Sequence, residues 1–161
     1  MAERFAIGGV RIDAVNLDDC VRVVQEWVDR GHRDYVVLTG AHGVVEMQDD
    51  AALRAINEEA GLVTPDGMSV VWMGRLLGHS RTAKVYAPTI MQALMQAGVP
   101  RRWRHFFYGG APGGAEELAD SCLRLHPGLE VAGTHCPPFR PLSELESDDI
   151  AERINAAEPN I

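Results

Sequence analysis

Apolar positions along this chain fall into short blocks set apart by glycine, proline and acidic corners, and the blocks alternate between two spacings. Residues 4–15 read as two short strands around Gly8-Gly9, a hairpin signal. Asn16 then caps a helix whose apolar positions Cys20, Val23, Val24, Trp27 and Val28 share one face, and Gly31 ends it. YVVLT, 35–39, is a compact buried strand. A helix covers 44–47, and Asp50 caps another that runs to Glu59. A brief strand at 62–64 precedes an apolar helix at 68–77, closed by Gly78. A helix at 89–97, closed by Gly98, leads to a strand at 105–108. Then come the loop GGAPGG, 109–114, a helix at 115–125, a strand at 129–134, a proline-rich loop at 136–142 and a last helix at 148–157.

Strands that alternate with helices imply crossover connections and a largely parallel sheet. The expected fold is α/β and Rossmann-like, one domain over 1–161, with helices on both faces and 1–15 as a hairpin-like lead-in. Ligands of such sheets sit beyond the carboxyl ends of the strands. The loops leaving those ends are TGAH (39–42), PDG (65–67), 109–114 and 134–140. Residues 157–161, AEPNI, break a helix and begin another β-like segment, so the chain reads as truncated at its C-terminus; the alternative is a short natural tail.

Composition narrows the class. With 161 residues, 46% apolar and 24% charged, the chain can bury a real core. A net charge of −8 argues against nucleic-acid binding, which needs a basic surface. Arg101, Arg102 and Arg104 form a local basic cluster that reads as a solvated loop. Cys20, Cys122 and Cys136 are widely spaced and odd in number, which indicates a reducing, cytoplasmic compartment. No metal-ligand spacing, transmembrane run or signal peptide is present, and no cofactor is expected.

The chemistry then concentrates at the loops. The glycines of FFYGGAPGGAEEL, chiefly Gly109, Gly110 and Gly113, lie between a strand and a helix N-terminus, where amides and the helix dipole favour an anion. The alternative is a tight strand-to-helix turn, and Glu116 and Glu117 suit the dipole equally well. Asp66, at the corner of GLVTPDGMSVVW, is a turn residue or helix cap by one reading. By the other it is a general base toward an acceptor hydroxyl. Thr39 reaches either a ligand or local backbone. His42 is a proton carrier or a solvated loop histidine. In RTAKVYAPT, Lys84 can neutralise a diphosphate and Tyr86 can stack on a base or sugar; the alternative is a surface loop with a solvated cation. In GTHCPPFRPL, His135, Phe139 and Arg140 sit on a loop stiffened by prolines, which is either a binding wall that holds the nucleotide or a simple spacer. The stripes Leu118, Cys122, Leu125 and Met91, Leu94, Met95 have the spacing of core positions.

Five motifs, VVLTGAHGVVEMQ, AGLVTPDGMSVVW, KVYAPTIM, FFYGGAPGGAEELA and GLEVAGTHCPPFRPL, together resemble the WecG/TagA/CpsF glycosyltransferase family in order and spacing, over residues 35–161. The resemblance implies inverting transfer of a sugar, usually from a uridine diphosphate sugar, to a lipid-linked acceptor at the inner face of the membrane. It implies no tightly required metal, and a peripheral membrane contact in the full-length protein. It places the general base on Asp66 and the pocket-lining threonine on Thr39. The nucleotide-sugar loop falls on Gly109, Gly110 and Gly113, and the aromatic after Gly-Thr on His135. The chain departs from the pattern at Ala87, where the family has glycine, at Thr89, where it has aspartate, and at His135-Cys136, where it has Tyr-Ser. These changes bear on substrate choice. The family also continues into a further strand, a Pro-x-Gln-Glu loop and a basic C-terminal appendage. Two other readings stay open: a nucleotide-sugar-binding domain without turnover, and a dinucleotide oxidoreductase. The second lacks GxGxxG with a following acidic residue.

Overall fold

The computed structural model describes residues 3–161; Met1 and Ala2 of the lead-in lie outside the described residues. The chain divides into two compact units, one through Ala93 and one over Leu94–Ile161.

The first unit opens with the hairpin β1 (Arg4–Ile7) and β2 (Val10–Asp13), which pair antiparallel. Gly8 and Gly9 take φ of +57° and +77°, the left-handed pair that a two-residue hairpin turn needs. Helix α1 (Leu17–Arg30) starts at the Asn16–Asp19 capping box and stops at Gly31, as the pattern indicates. Strand β3 (Val36–Thr39) connects through α2 (Ala41–Asp49) and α3 (Ala51–Glu59) to β4 (Leu62–Pro65), and β3 and β4 pair in parallel. Strand β3 is half-buried until Thr39, whereas β4 is buried throughout. The core joins Phe5, Val10 and Ile12 of the hairpin to Val44, Met47, Val63 and Val70. Asp13 is buried within it. Its carboxylate accepts the Val63 N–H at 2.7 Å and pairs with Arg4 at 2.9 Å, so the buried charge is bonded and balanced. Helix α4 (Met68–Leu76) follows, with Gly78 just beyond its end at φ +98°.

Helix α5 (Ala87–Gly98) runs through the point where the chain divides. It ends at Gly98, as the sequence suggests; there φ is −77° and a 3-10 turn follows at Val99–Arg101. Packing explains this glycine. A Cβ there would stand 2.9 Å from His105 Nε2 and 3.0 Å from the Trp103 ring.

In the second unit β5 (Arg104–Tyr108), α6 (Gly114–Leu125) and β6 (Glu130–His135) form a strand–helix–strand unit with parallel strands. Helix α7 (Glu144–Ala156) begins four residues before the expected 148, because Ser143 and Glu146 form a capping box. The β-like segment expected at 157–161 does pair: the Phe106 N–H donates to Ile161 O at 2.8 Å and the Asn160 N–H to Arg104 O at 2.8 Å. The fold is α/β and Rossmann-like, its parallel strands linked through helices.

Candidate functional site

Two loop clusters carry the residues singled out above, one in each unit. In the first unit the register sets Thr39 opposite Pro65, so the chains leaving β3 and β4 emerge side by side. The Asp66 N–H donates to Thr39 O at 2.9 Å and carries the pairing one step past the strand. Gly40 makes this fit possible, since a Cβ there would lie 2.8 Å from Asp66 O. Gly67 takes φ +116° and ψ +147°, a conformation open essentially to glycine alone. Pro-Asp-Gly is thus a sharp strand-to-helix corner.

At that corner the residue capping α4 is Gly67, without a side-chain bond, so Asp66 does not cap the helix. Among the described residues its half-buried carboxylate has no hydrogen-bond or ion-pair partner. The Val85 N–H donates to Pro65 O at 2.9 Å, which draws the segment bearing Lys84 and Tyr86 alongside the same strand end. The Lys84 ammonium lies 4.4 Å from the centre of the Tyr86 ring. An unpaired carboxylate, a cation and an exposed aromatic ring share the segments at this edge. Such a set can take a proton from a hydroxyl and hold a charged sugar derivative.

Thr39 sits differently from the others. Its side chain is buried and its hydroxyl donates to Asn57 Oδ1 at 3.0 Å, while Asn57 Nδ2 donates to Arg11 O at 3.0 Å. Thr39 therefore anchors the end of β3 through a buried polar chain. Asn57 escaped the sequence reading. Its signal was a polar residue four positions after Leu53, on the inward side of α3, where the helical period calls for an apolar one. His42 is exposed on the first turn of α2 and its Nε2 turns to Glu46 Oε1 at 3.2 Å, along the helix.

In the second unit Gly109, Gly110 and Gly113 all take positive φ, at +111°, +85° and +83°. The amides nearest the helix are used internally. The Gly114 N–H donates to Ala111 O at 2.8 Å and the Ala115 N–H to Cys136 Sγ at 3.3 Å. The Glu116 carboxylate accepts from Thr134 Oγ1 at 2.9 Å and from Cys136 Sγ at 3.5 Å. Its own backbone N–H, then Thr134, hold its carboxyl below the usual range. The position a phosphate would take at the start of α6 is thus lined by a carboxylate. The N–H groups of Gly110, Ala111 and Gly113 in the loop itself take no bond among the described residues.

His135 lies beside this loop, its ring stacked on Tyr108 with centroids 6.0 Å apart and its Nδ1 3.3 Å from Arg153 Nη1. Arg140 is committed elsewhere. It grips Glu146 with two bonds of 2.9 and 2.6 Å, and with Ser143 this pushes the Glu146 carboxyl down to about 2. Phe139 is fully exposed.

A separate cavity of about 630 Å³ lies in the first unit, lined by Trp27, Arg30, Gly61, Leu62, His79 and Thr82 among others. Gly61 and Leu62 mark the opposite end of β4 from Asp66, and none of the candidate residues lines it. Among the described residues no helix is long and apolar enough to cross a membrane.

Two comparisons with known proteins bear on this arrangement. A family model described as the glycosyl transferase WecG/TagA/CpsF family matches residues 5–161. An N-acetylglucosaminyldiphosphoundecaprenol N-acetyl-beta-D-mannosaminyltransferase of Bacillus spizizenii is 22% identical over 135 residues, which are 84% of this chain and 51% of that protein. The chain thus spans about half the length of that curated relative.

Proposed function

The chain belongs to the WecG/TagA/CpsF glycosyltransferase family, and from that premise we propose that it serves inverting sugar transfer from a nucleotide-diphosphate sugar, uridine-linked, to a lipid-linked acceptor. The relative's name pairs an N-acetylhexosaminyl group with a diphosphoundecaprenol-linked acceptor, and the same substrate class is assigned here. The work would take place at the inner face of the membrane, in synthesis of cell-surface polysaccharide. The observation that carries this reading is Asp66. Among the described residues it is a half-buried carboxylate without a hydrogen-bond or ion-pair partner, at the C-terminal end of a parallel strand.

In the proposed reaction Asp66 accepts the proton of the acceptor hydroxyl as its oxygen attacks the anomeric carbon. The new glycosidic bond forms on the face opposite the departing diphosphate, so the configuration inverts. The nucleoside diphosphate leaves with the electron pair of the broken C–O bond. Lys84 and Tyr86 are assigned to substrate binding at the same strand edge. Taken by itself, the second unit offers the N–H groups of Gly110, Ala111 and Gly113, unbonded among the described residues, as a place that suits an anion, with no side chain between backbone and ligand. Ala87 and Thr89 in the first unit, and His135 in the second, are each assigned to substrate choice.

The test is radiolabelled transfer from a uridine diphosphate N-acetylhexosamine to a polyprenyl-diphosphate-linked sugar. Asp66→Asn should lower the rate by about 10²- to 10⁴-fold, the usual range for a general base. Uridine diphosphate affinity, measured by calorimetry, should stay unchanged. Transfer at the wild-type rate by this variant would remove the general-base role.

One observation favours a second reading, nucleotide-sugar binding without turnover: Glu116 and Cys136 fill the α6 end where an anion would sit. Uridine diphosphate binding with no transfer by the wild-type chain would select it.

A further inference from the structure

Helix α4 is apolar on the side it buries and on the side it exposes. Val70, Val71 and Gly74 face the interior. Around the rest of the helix Met68, Trp72, Met73 and Leu76, with Leu77 at its end, are 39–80% exposed, Leu76 the most and Trp72 at 63%. Only Ser69 and Arg75 interrupt them. A helix of this composition is ordinarily covered, and a patch of five large apolar side chains marks a binding surface.

The charge around it indicates what covers it. The protein carries −8 overall, yet from Gly67 to Ala93 there is no Asp or Glu, while Arg75, Arg81 and Lys84 are all present. Arg81 reaches Asp19 only at 3.8 Å with its side chain 79% exposed, and Lys84 has no carboxylate partner among the described residues. Trp72 and Tyr86 add exposed amphipathic rings, the residues that favour the boundary between headgroups and acyl chains. Apolar side chains, interfacial aromatics and exposed cations, of which Arg81 keeps only a loose pairing with Asp19, make up the surface of a helix lying in the plane of an anionic bilayer.

We propose that the exposed face of α4, with Arg81 and Lys84, docks the protein on an anionic phospholipid surface. The inference rests on the reading above in one respect, the lipid-linked acceptor: α4 begins one residue after the Asp66-Gly67 corner, so docking this face holds the corner at the leaflet that carries such an acceptor.

The experiment is sedimentation of the full chain with vesicles of phosphatidylglycerol and phosphatidylethanolamine, against phosphatidylcholine vesicles. The wild type should sediment with the anionic vesicles, less so at high salt. The double variant Trp72→Ser/Leu76→Ser should lose about tenfold or more of its partitioning. Arg81→Gln/Lys84→Gln should lose the preference for phosphatidylglycerol; this pair leaves the apolar residues in place and decides the matter if the serine variant fails to fold. A wild type that stays in the supernatant, or serine and glutamine variants that both bind like it, overturns the proposal. So does a wild type that self-associates without binding vesicles and becomes monomeric on the serine substitutions, which would give the face to a second copy of the chain. Transfer to a short-chain, water-soluble acceptor separates this inference from the reading it rests on. There the serine variant should keep the wild-type rate and Asp66→Asn should not. Vesicle binding without any transfer would leave the docking face standing and remove the enzymatic reading.

Discussion

Asp66 owes its freedom to the residues on either side of it. Pro65 ends the buried strand, Gly67 supplies a backbone angle that no side chain tolerates well, and Gly40 lets the neighbouring loop close to van der Waals distance of the Asp66 carbonyl. Thr39 is fixed from below by Asn57, so the two strand ends are held in register. Small movements at this corner should therefore register in both stability and rate. For Gly40→Ala the added methyl meets backbone, which cannot swing aside as a long side chain can. The expected cost is about 1–3 kcal/mol, typical of forced overpacking, read as a lower thermal midpoint. Transfer should fall further than the stability loss accounts for, because the group displaced is the peptide bearing Asp66. A Gly40→Ala protein with wild-type midpoint and rate would show that the close approach does not matter.

Helix α7 shows how one element's start depends on ionisation. Ser143 and Glu146 cap its first turn, and Arg140 clamps the same carboxylate. These bonds form to the ionised carboxylate, so they hold the Glu146 carboxyl down from 4.5 to about 2. A depressed carboxyl contributes stability that is complete above its unfolded value and lost as pH falls through its folded one. The contribution should thus be intact above about pH 4.5 and decline as pH falls toward about 2. Carbon-13 NMR of the glutamate carboxyls should show one group titrating near 2, and Glu146→Gln should remove it. Amide exchange over residues 143–147 should be faster in that variant at neutral pH and change less with acidification. A Glu146 that titrates near 4.5 would dissolve the clamp. The cap was absent from the sequence reading because the proline-rich loop masked Ser143 as a helix start.

At the scale of the whole chain, what was legible followed local chemistry. The Gly8-Gly9 turn, the Asn16 cap, the Gly31 stop and the Pro-Asp-Gly corner each depend on two or three adjacent residues, and each appears where the pattern puts it. Gly98 ends its helix where the pattern puts it, but the reason for a glycine there is not legible, since it lies across space, in Trp103 and His105, and not in its own dihedral angle. Asn57 and the Glu116–Cys136 contact were hidden for the same reason, as their partners are 18 to 46 and 20 residues away. The thiols offer a measurement that covers both units at once. Cys20 lies in the first unit, fully buried, and burial followed by the charges of Asp19 and Asp13 pushes its thiol up to about 12. Cys122 is buried in the second, and burial raises its thiol as well. Cys136 is half-exposed beside the glycine loop. Reaction needs both access and thiolate, so at pH 8 a maleimide should label Cys136 alone in the native protein. Cys20 and Cys122 should react only as denaturant opens the unit that holds each, so that peptide mass spectrometry reads two stabilities from one chain. Native labelling of Cys20 at the rate of Cys136 would contradict the packing of α1 against its core, since a side chain with no exposure can react only through opening.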